Sequence, residues 1–196
     1  RRGLRQVGYE SSSVRRLFGS LPKDRQGEVY HRYVLGLYEL MERITSAFPD
    51  VLFEGCSGGG GRFDAGFAYY MPQIWTSDNT DAVSRLTIQY GTSLVYPISM
   101  TTAHVSAIPN HQTGRKTSFE TRGNAAMSAV FGYELDLTKM NPEDKDQVKE
   151  QVACYKEIRK LIQYGNFYRL KSPVETNQAA WMFVSDDKRD VCVMTF

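Results

Sequence analysis

Residues 52–81 read LFEGCSGGGGRFDAGFAYYMPQIWTSDNTD, and the rest of the chain is organised around them. A short apolar run leads to Cys56. Ser57 and four glycines, Gly58 to Gly61, follow, and then Arg62, Phe63 and Asp64. After an aromatic turn, a second apolar run delivers Trp75, Thr76, Ser77 and Asp78. Two short strands that each end in Gly-rich or capping residues predict the mouth of an α/β site.

Outward from this stretch, elements alternate. Residues 25–48 place Tyr30, Tyr33, Val34, Leu37, Tyr38, Met41, Ile44 and Phe48 at three- and four-residue steps, predicting a helix capped by Asp24 and stopped by Pro49. Strands are expected at 51–53, from about 72, at 93–100 (SLVYPISM) and at 129–135. Helices are expected at 80–90, ended by Gly91, at 119–128, and from Pro142 to a Gly165 cap. On the last helix Val148, Val152, Tyr155, Ile158, Leu161 and Ile162 share one face, and on the helix at 80–90 Val83, Leu86 and Tyr90 do. Residues 1–24 and 101–118 read as loops, the second holding His104 and His111. This α/β order predicts a parallel sheet of four strands with helical crossovers, consistent with half of a (β/α)8 barrel. In such barrels the chemistry sits at the C-terminal ends of the strands, where Cys56, Asp78, Ser99 and Thr101 fall. After Pro173 the pattern becomes a β-hairpin, residues 180–184 and 190–196 around SDDKRD, so a domain boundary is expected there: 1–172 and 173–196.

Composition narrows the function. With 196 residues, 41% hydrophobic, the chain can build a core. A net charge of +2, without a basic face or tail, makes nucleic acid a poor partner. No apolar run approaches the roughly 20 residues of a membrane span, and no signal-peptide layout is present, pointing to a cytoplasmic protein. Cys56, Cys154 and Cys192 read as free thiols of a reducing compartment, with no metal-ligand spacing. The opening at Arg1 and the stop at Phe196 within an apolar alternation are read as marks of a fragment.

Asp78 has two readings, since Ser77, Asp78 or Thr80 can simply cap the following helix, or Asp78 can be a catalytic carboxylate. Asp81, in the first helical turn, and Asp64 are weaker candidates; Glu54 is either a second carboxylate or a partner for Arg62. The four glycines lack P-loop and dinucleotide spacing, leaving a positive-φ turn or a close backbone approach to a ligand. Cys56 has no evident base, and His104 and His111 lack a third metal ligand. Trp75, with Phe67, Tyr69 and Tyr70, belongs to the core or packs on a sugar face.

The stretches LFEGCSGGGGRFDAG, PQIWTSDNTDA, RLTIQYGTSLVYP, AHVSAIPNHQTGR, TRGNAAMSAVFGYELDL and NFYRLKSP resemble, in that order and spacing, glycoside hydrolase family 36 α-galactosidases. The resemblance implies the C-terminal half of a (β/α)8 barrel followed by the start of an antiparallel β-domain. It also implies a retaining hydrolase of terminal α-galactosides such as melibiose and raffinose, without a cofactor or metal, in a protein that is often tetrameric. By the same resemblance Asp78 is the general acid/base and Cys56 and Gly58 line the galactose subsite. The resemblance also has Arg62 and Asp64 support the turn, while Trp75, from its place near a strand end, is taken as a further substrate contact. The family's nucleophile is the Asp of a KWDMN motif; no KWD occurs in this chain, so the nucleophile is expected upstream of Arg1 and the 196 residues alone are expected to be inactive. A galactosyl-transferring relative and a non-catalytic carbohydrate-binding paralogue are the alternatives.

Overall fold

The computed structural model describes residue 19 and residues 21–56 and 58–196; the predicted N-terminal loop and Ser57 lie largely outside these. Two compact units divide the chain, Arg1–Ile74 and Trp75–Phe196.

In the first unit the predicted helix splits. A 3-10 turn, Lys23–Glu28, runs into helix α1, Val29–Ala47. Asp24 is therefore not a cap. The Val29 N–H is already taken by the Gln26 carbonyl of the preceding turn, and the cap position, Glu28, instead pairs with Arg25 and Arg32. The helix ends at Ala47 because Phe48, preceding Pro49, is forced out of helical geometry. Leu37 and Met41, flanked by Tyr33 and Ile44, pack with Phe67, Met71 and Ile74, whereas Tyr30 and Val34 face outward.

Strand β1 is Glu54–Gly55 and not 51–53; Val51 and Leu52 are exposed. It pairs in parallel with β2, Gln73–Trp75, in the register Glu54↔Gln73 and Gly55↔Ile74. Pro72, just before β2, has no N–H to contribute to an earlier rung. Between them lies helix α2, Ala65–Tyr70. A Cβ on Gly55 would stand 2.7 Å from the Phe67 ring, so only glycine lets α2 pack this closely on β1.

In the second unit, helix α3 is Ala82–Thr92, continuing through Gly91. Its buried face is Ala82, Arg85 and Gln89; Val83 points to solvent, so the expected apolar stripe is not the side that packs inward, although Leu86 touches the core. Residues 93–100 form a turn and a 3-10 segment, Ile98–Met100, and not a strand, since Pro97 interrupts any ladder there. The strand is β3, Thr101–Ser106, within the expected loop. It pairs in parallel with β4, Val130–Glu134, from Thr102↔Val130 to Ser106↔Glu134. Covered on both faces, as parallel strands usually are, β3 buries Thr101, Thr102, Ala103, Val105 and Ser106. Ser99 and Thr101 thus lie before and at the start of β3; the residue at its C-terminal end is Ser106.

Helices α4, Phe119–Met127, and α5, Pro142–Tyr164, follow expectation, with Pro142 in the first turn and Asn141 capping through a 2.7 Å bond from the Asp144 N–H. A separate antiparallel sheet holds β5, Asn166–Lys171, β6, Ala180–Val184, and β7, Val191–Thr195, in that order. The β6–β7 hairpin was expected; β5 was not. Val148, Tyr155, Ile158, Leu161 and Ile162 of α5 join one core with Val105, Phe119, Ala129, Trp181 and Phe183. Phe183 is fully buried at its centre, and Phe183→Ala should cost about 3–5 kcal/mol, read as a lowered denaturation midpoint in the protein that carries this chain.

Candidate active site

The strand-end loop after β2 is built from residues 76–81. Helix α3 needs an acceptor for its first N–H groups, and Asp81 supplies it: its carboxylate accepts from the Ser84 N–H at 3.0 Å and the Ser84 hydroxyl at 2.8 Å. Arg115 forms an ion pair with the same buried carboxylate. Capping is therefore the work of Asp81, and Asp78 is released from it. Asp78 stands exposed on the loop, and one of its oxygens accepts from the Trp75 Nε1–H at 3.2 Å.

The loop is held from within. Asn79 N–H donates to Ser77 Oγ and Asp81 N–H to Asn79 Oδ1, each at 3.1 Å. Beneath it lies Arg85, only 2% exposed. Its guanidinium donates to the Ser77 carbonyl at 2.6 Å, the Asn79 carbonyl at 2.8 Å, Thr76 Oγ1 at 2.7 Å and, on β3, the Thr102 carbonyl at 3.2 Å. Burial lowers the Arg85 pKa to about 10, opposed by the negative charges of Glu134 and Asp78, so the group stays cationic at neutral pH. The guanidinium also lies 4.3 Å from the Trp75 ring, which stacks at a tilt with His104, centroids 4.6 Å apart. Trp75 is 7% exposed, and its ring is occupied by these neighbours.

The stretch 106–115 buttresses the loop. Ser106 Oγ donates to the Thr80 carbonyl at 3.2 Å, and Asn110 Nδ2 to Thr80 Oγ1 at 3.0 Å. Asn110 Oδ1 meanwhile accepts the N–H groups of Gln112 and Thr113, shaping the turn from which Arg115 reaches Asp81. Arg122 donates to the Ser106 carbonyl. Arg85, Ser106, Asn110 and Arg115 were not legible as site residues. An arginine at one step of an amphipathic helix reads as a solvated charge, and nothing local marks it as the buried one.

In the first unit, Cys56 follows β1 and is half-buried; in the second, Cys154 is exposed and Cys192 half-buried, and none of the three forms a disulfide among the described residues. Gly58, Gly59 and Gly60 have φ of 59°, 73° and 90°, the left-handed region expected of this turn, where a side chain would be strained. Asp64 caps α2 through a 2.7 Å bond from the Phe67 N–H and accepts from the Tyr38 hydroxyl at 2.9 Å. Arg62 donates to the Tyr33 hydroxyl at 2.6 Å. Both side chains thus tie the glycine turn to α1. Glu54 accepts from Gln73 at 2.7 Å across the β1–β2 pair.

His104 lies on β3 and not on a loop; His111 is exposed in the turn after it. Among the described residues no group of His, Cys, Asp or Glu is arranged to hold a metal. Burial, with the Arg85 charge second, holds the His104 pKa near about 4, and its Nδ1 is buried without a hydrogen-bond partner among the described residues. The imidazole is therefore neutral in the folded protein. Because the unfolded group binds its proton near 6.5, protonation favours unfolding as pH falls from about 6.5 to about 4. His104→Gln should flatten the dependence of the denaturation midpoint on pH across that window; parallel pH curves for the variant and the parent would contradict it.

The Melibiase family model matches residues 14–165. The chain is 70% identical over 177 residues to α-galactosidase 1 of Pediococcus pentosaceus, covering 90% of this chain and 24% of that protein. It is 65% identical, with the same coverage, to α-galactosidase AgaA of Geobacillus stearothermophilus. A crystal structure of an AgaA variant in complex with raffinose, described as a GH36 α-galactosidase, matches with a TM-score of 0.87 at 65% identity over 89% of this chain and 24% of that one. Another AgaA variant, in complex with stachyose, matches equally well, with a TM-score of 0.87. The chain thus spans about a quarter of the length of the relatives it matches (24%). The match covers well over half of the chain and includes both the Cys–Gly turn and the Asp78 loop, and the chain belongs to the Melibiase family.

Proposed function

We propose that the protein carrying this chain is a retaining α-galactosidase in which Asp78 is the general acid/base. The observation that carries this reading is the division of labour at the start of α3. Asp81 caps the helix, and a second carboxylate three residues earlier is presented at a strand end with the Trp75 Nε1–H on one oxygen. A carboxylate so placed is not spent on capping the helix. Relatives named α-galactosidases, one of them solved with raffinose, supply the substrate class: terminal α-galactosyl groups of oligosaccharides.

In this mechanism protonated Asp78 donates to the glycosidic oxygen as the bond from that oxygen to the anomeric carbon breaks. A second carboxylate, absent from this chain, bonds to the anomeric carbon. Water then attacks the galactosyl ester, Asp78 takes its proton, and the anomeric configuration is retained. The positive-φ turn after Cys56 exposes backbone to a sugar, so Cys56 and Gly58 are assigned to the galactose subsite, with Arg62 and Asp64 fastening the turn to α1. Trp75 is assigned to orienting Asp78 through its indole N–H in place of stacking on the sugar, because Arg85 and His104 already occupy its ring.

Asp78→Ala in the full-length protein should lower kcat/KM for raffinose by about 10²–10⁴-fold. Galactosylation by an aryl α-galactoside whose leaving group needs no proton should be far less affected, and added azide should divert the intermediate to α-galactosyl azide. Raffinose hydrolysis at the parental rate would overturn the assignment.

A further inference from the structure

Arg85 carries a full charge into a nearly dry position, and its observed hydrogen-bond partners are all neutral oxygens. Burying a cation is costly, and among the described residues no carboxylate lies within ion-pair distance of it to account for its place. What does account for it is the choice of acceptors. Two of them are the carbonyls of Ser77 and Asn79, the residues on either side of Asp78. A third, Thr76 Oγ1, belongs to the residue that leaves β2. The fourth, the Thr102 carbonyl, ties the guanidinium to a strand buried on both faces. The same planar group lies 4.3 Å from the Trp75 ring, whose N–H meets the Asp78 carboxylate. One rigid fork therefore contacts the main chain before and after Asp78 and also the side chain that holds its carboxylate.

We propose that Arg85 is a positioning residue that fixes the Asp78 carboxylate for proton transfer by clamping the flanking carbonyls and the Trp75 ring. The inference rests on the reading of Asp78 as the acid/base. It differs from a purely structural role in what it predicts. A displaced carboxylate impairs proton transfer selectively, and a misplacement of about 1 Å can cost about 10²-fold. General destabilisation instead lowers activity toward all substrates alike.

The experiment uses the full-length protein and two substrates, raffinose and an aryl α-galactoside with a leaving group that needs no proton. Four variants are compared: Arg85→Met, Arg85→Lys, Asp78→Ala and Gln89→Met. Gln89 lies one turn further along α3, is 1% exposed and bonds to the Ala125 carbonyl and Ser128, remote from the loop, so it controls for loss of a buried polar group. Arg85→Met should lower kcat for raffinose by about 10²-fold with little change in KM, while kcat/KM for the aryl substrate, which reports galactosylation alone, changes by less than about 3-fold. Arg85→Lys keeps the charge but loses the fork and should show the same selective loss, of about 10-fold. Should Arg85→Met not fold, Arg85→Lys carries the test. Equal loss of kcat/KM on both substrates, loss no greater than that of Gln89→Met, or parental raffinose hydrolysis by folded Arg85→Lys would overturn the proposal alone, provided Asp78→Ala shows the selective loss. If Asp78→Ala shows none, the acid/base reading fails and the Arg85 inference falls with it.

Discussion

The strand-end loop after β2 depends on one buried cation. Five residues, Thr76 to Thr80, must leave a strand, turn and enter a helix, and among the described residues no backbone N–H is bonded to their carbonyls. Arg85 gathers three oxygens from this segment and one from β3 onto a single planar group. A lysine presents a point charge without that geometry, and an apolar side chain would leave the carbonyls buried and unpaired. The geometry of the loop, including where Asp78 stands, follows from a side chain on the next helix.

The same loop holds two carboxylates in different surroundings, and the role proposed for Asp78 could not be combined with capping in one group. Capping binds a carboxylate to backbone N–H groups and holds it in the protein; proton exchange with a ligand needs one that faces out. Asp81 does the first, strengthened by Arg115, and Asp78 is left on the outer side, its donor among the described residues being the Trp75 indole. The stretch from Ser106 to Arg115 stabilises the arrangement by binding Thr80 and Asp81, which explains why a turn distant in sequence is built around Asn110.

Legibility varied along the chain for physical reasons. Helix α5 and the β6–β7 hairpin were readable because local signals agreed: a Pro and an Asn at the start, a regular apolar face, and alternating strands about a charged turn. Strand β3 was not, because TTAHVS is short, small and polar for a strand buried on both faces, whereas the more apolar SLVYPISM beside it is broken by Pro97. Misplacing that strand also put His104 on a loop and assigned Ser99 and Thr101 to the wrong end of it. On α3 the apolar residues drew attention to the wrong face, since Arg85 and Gln89 are buried there by satisfying oxygens that belong to other segments.

The sequence by itself determined the α/β class and the family, and it offered a positive-φ glycine turn and marked Asp78 as a candidate. Each of these rests on residues close together in the chain, where motif and backbone preference can be read directly. It left open whether Asp78 or a neighbour capped α3, and it offered no reason to single out Arg85, Asn110 or Arg115. Only the tertiary structure decided these, because a cap, a clamp and a buttress are defined by which groups meet across segments up to 34 residues apart, and that pairing is set by packing and not by local pattern.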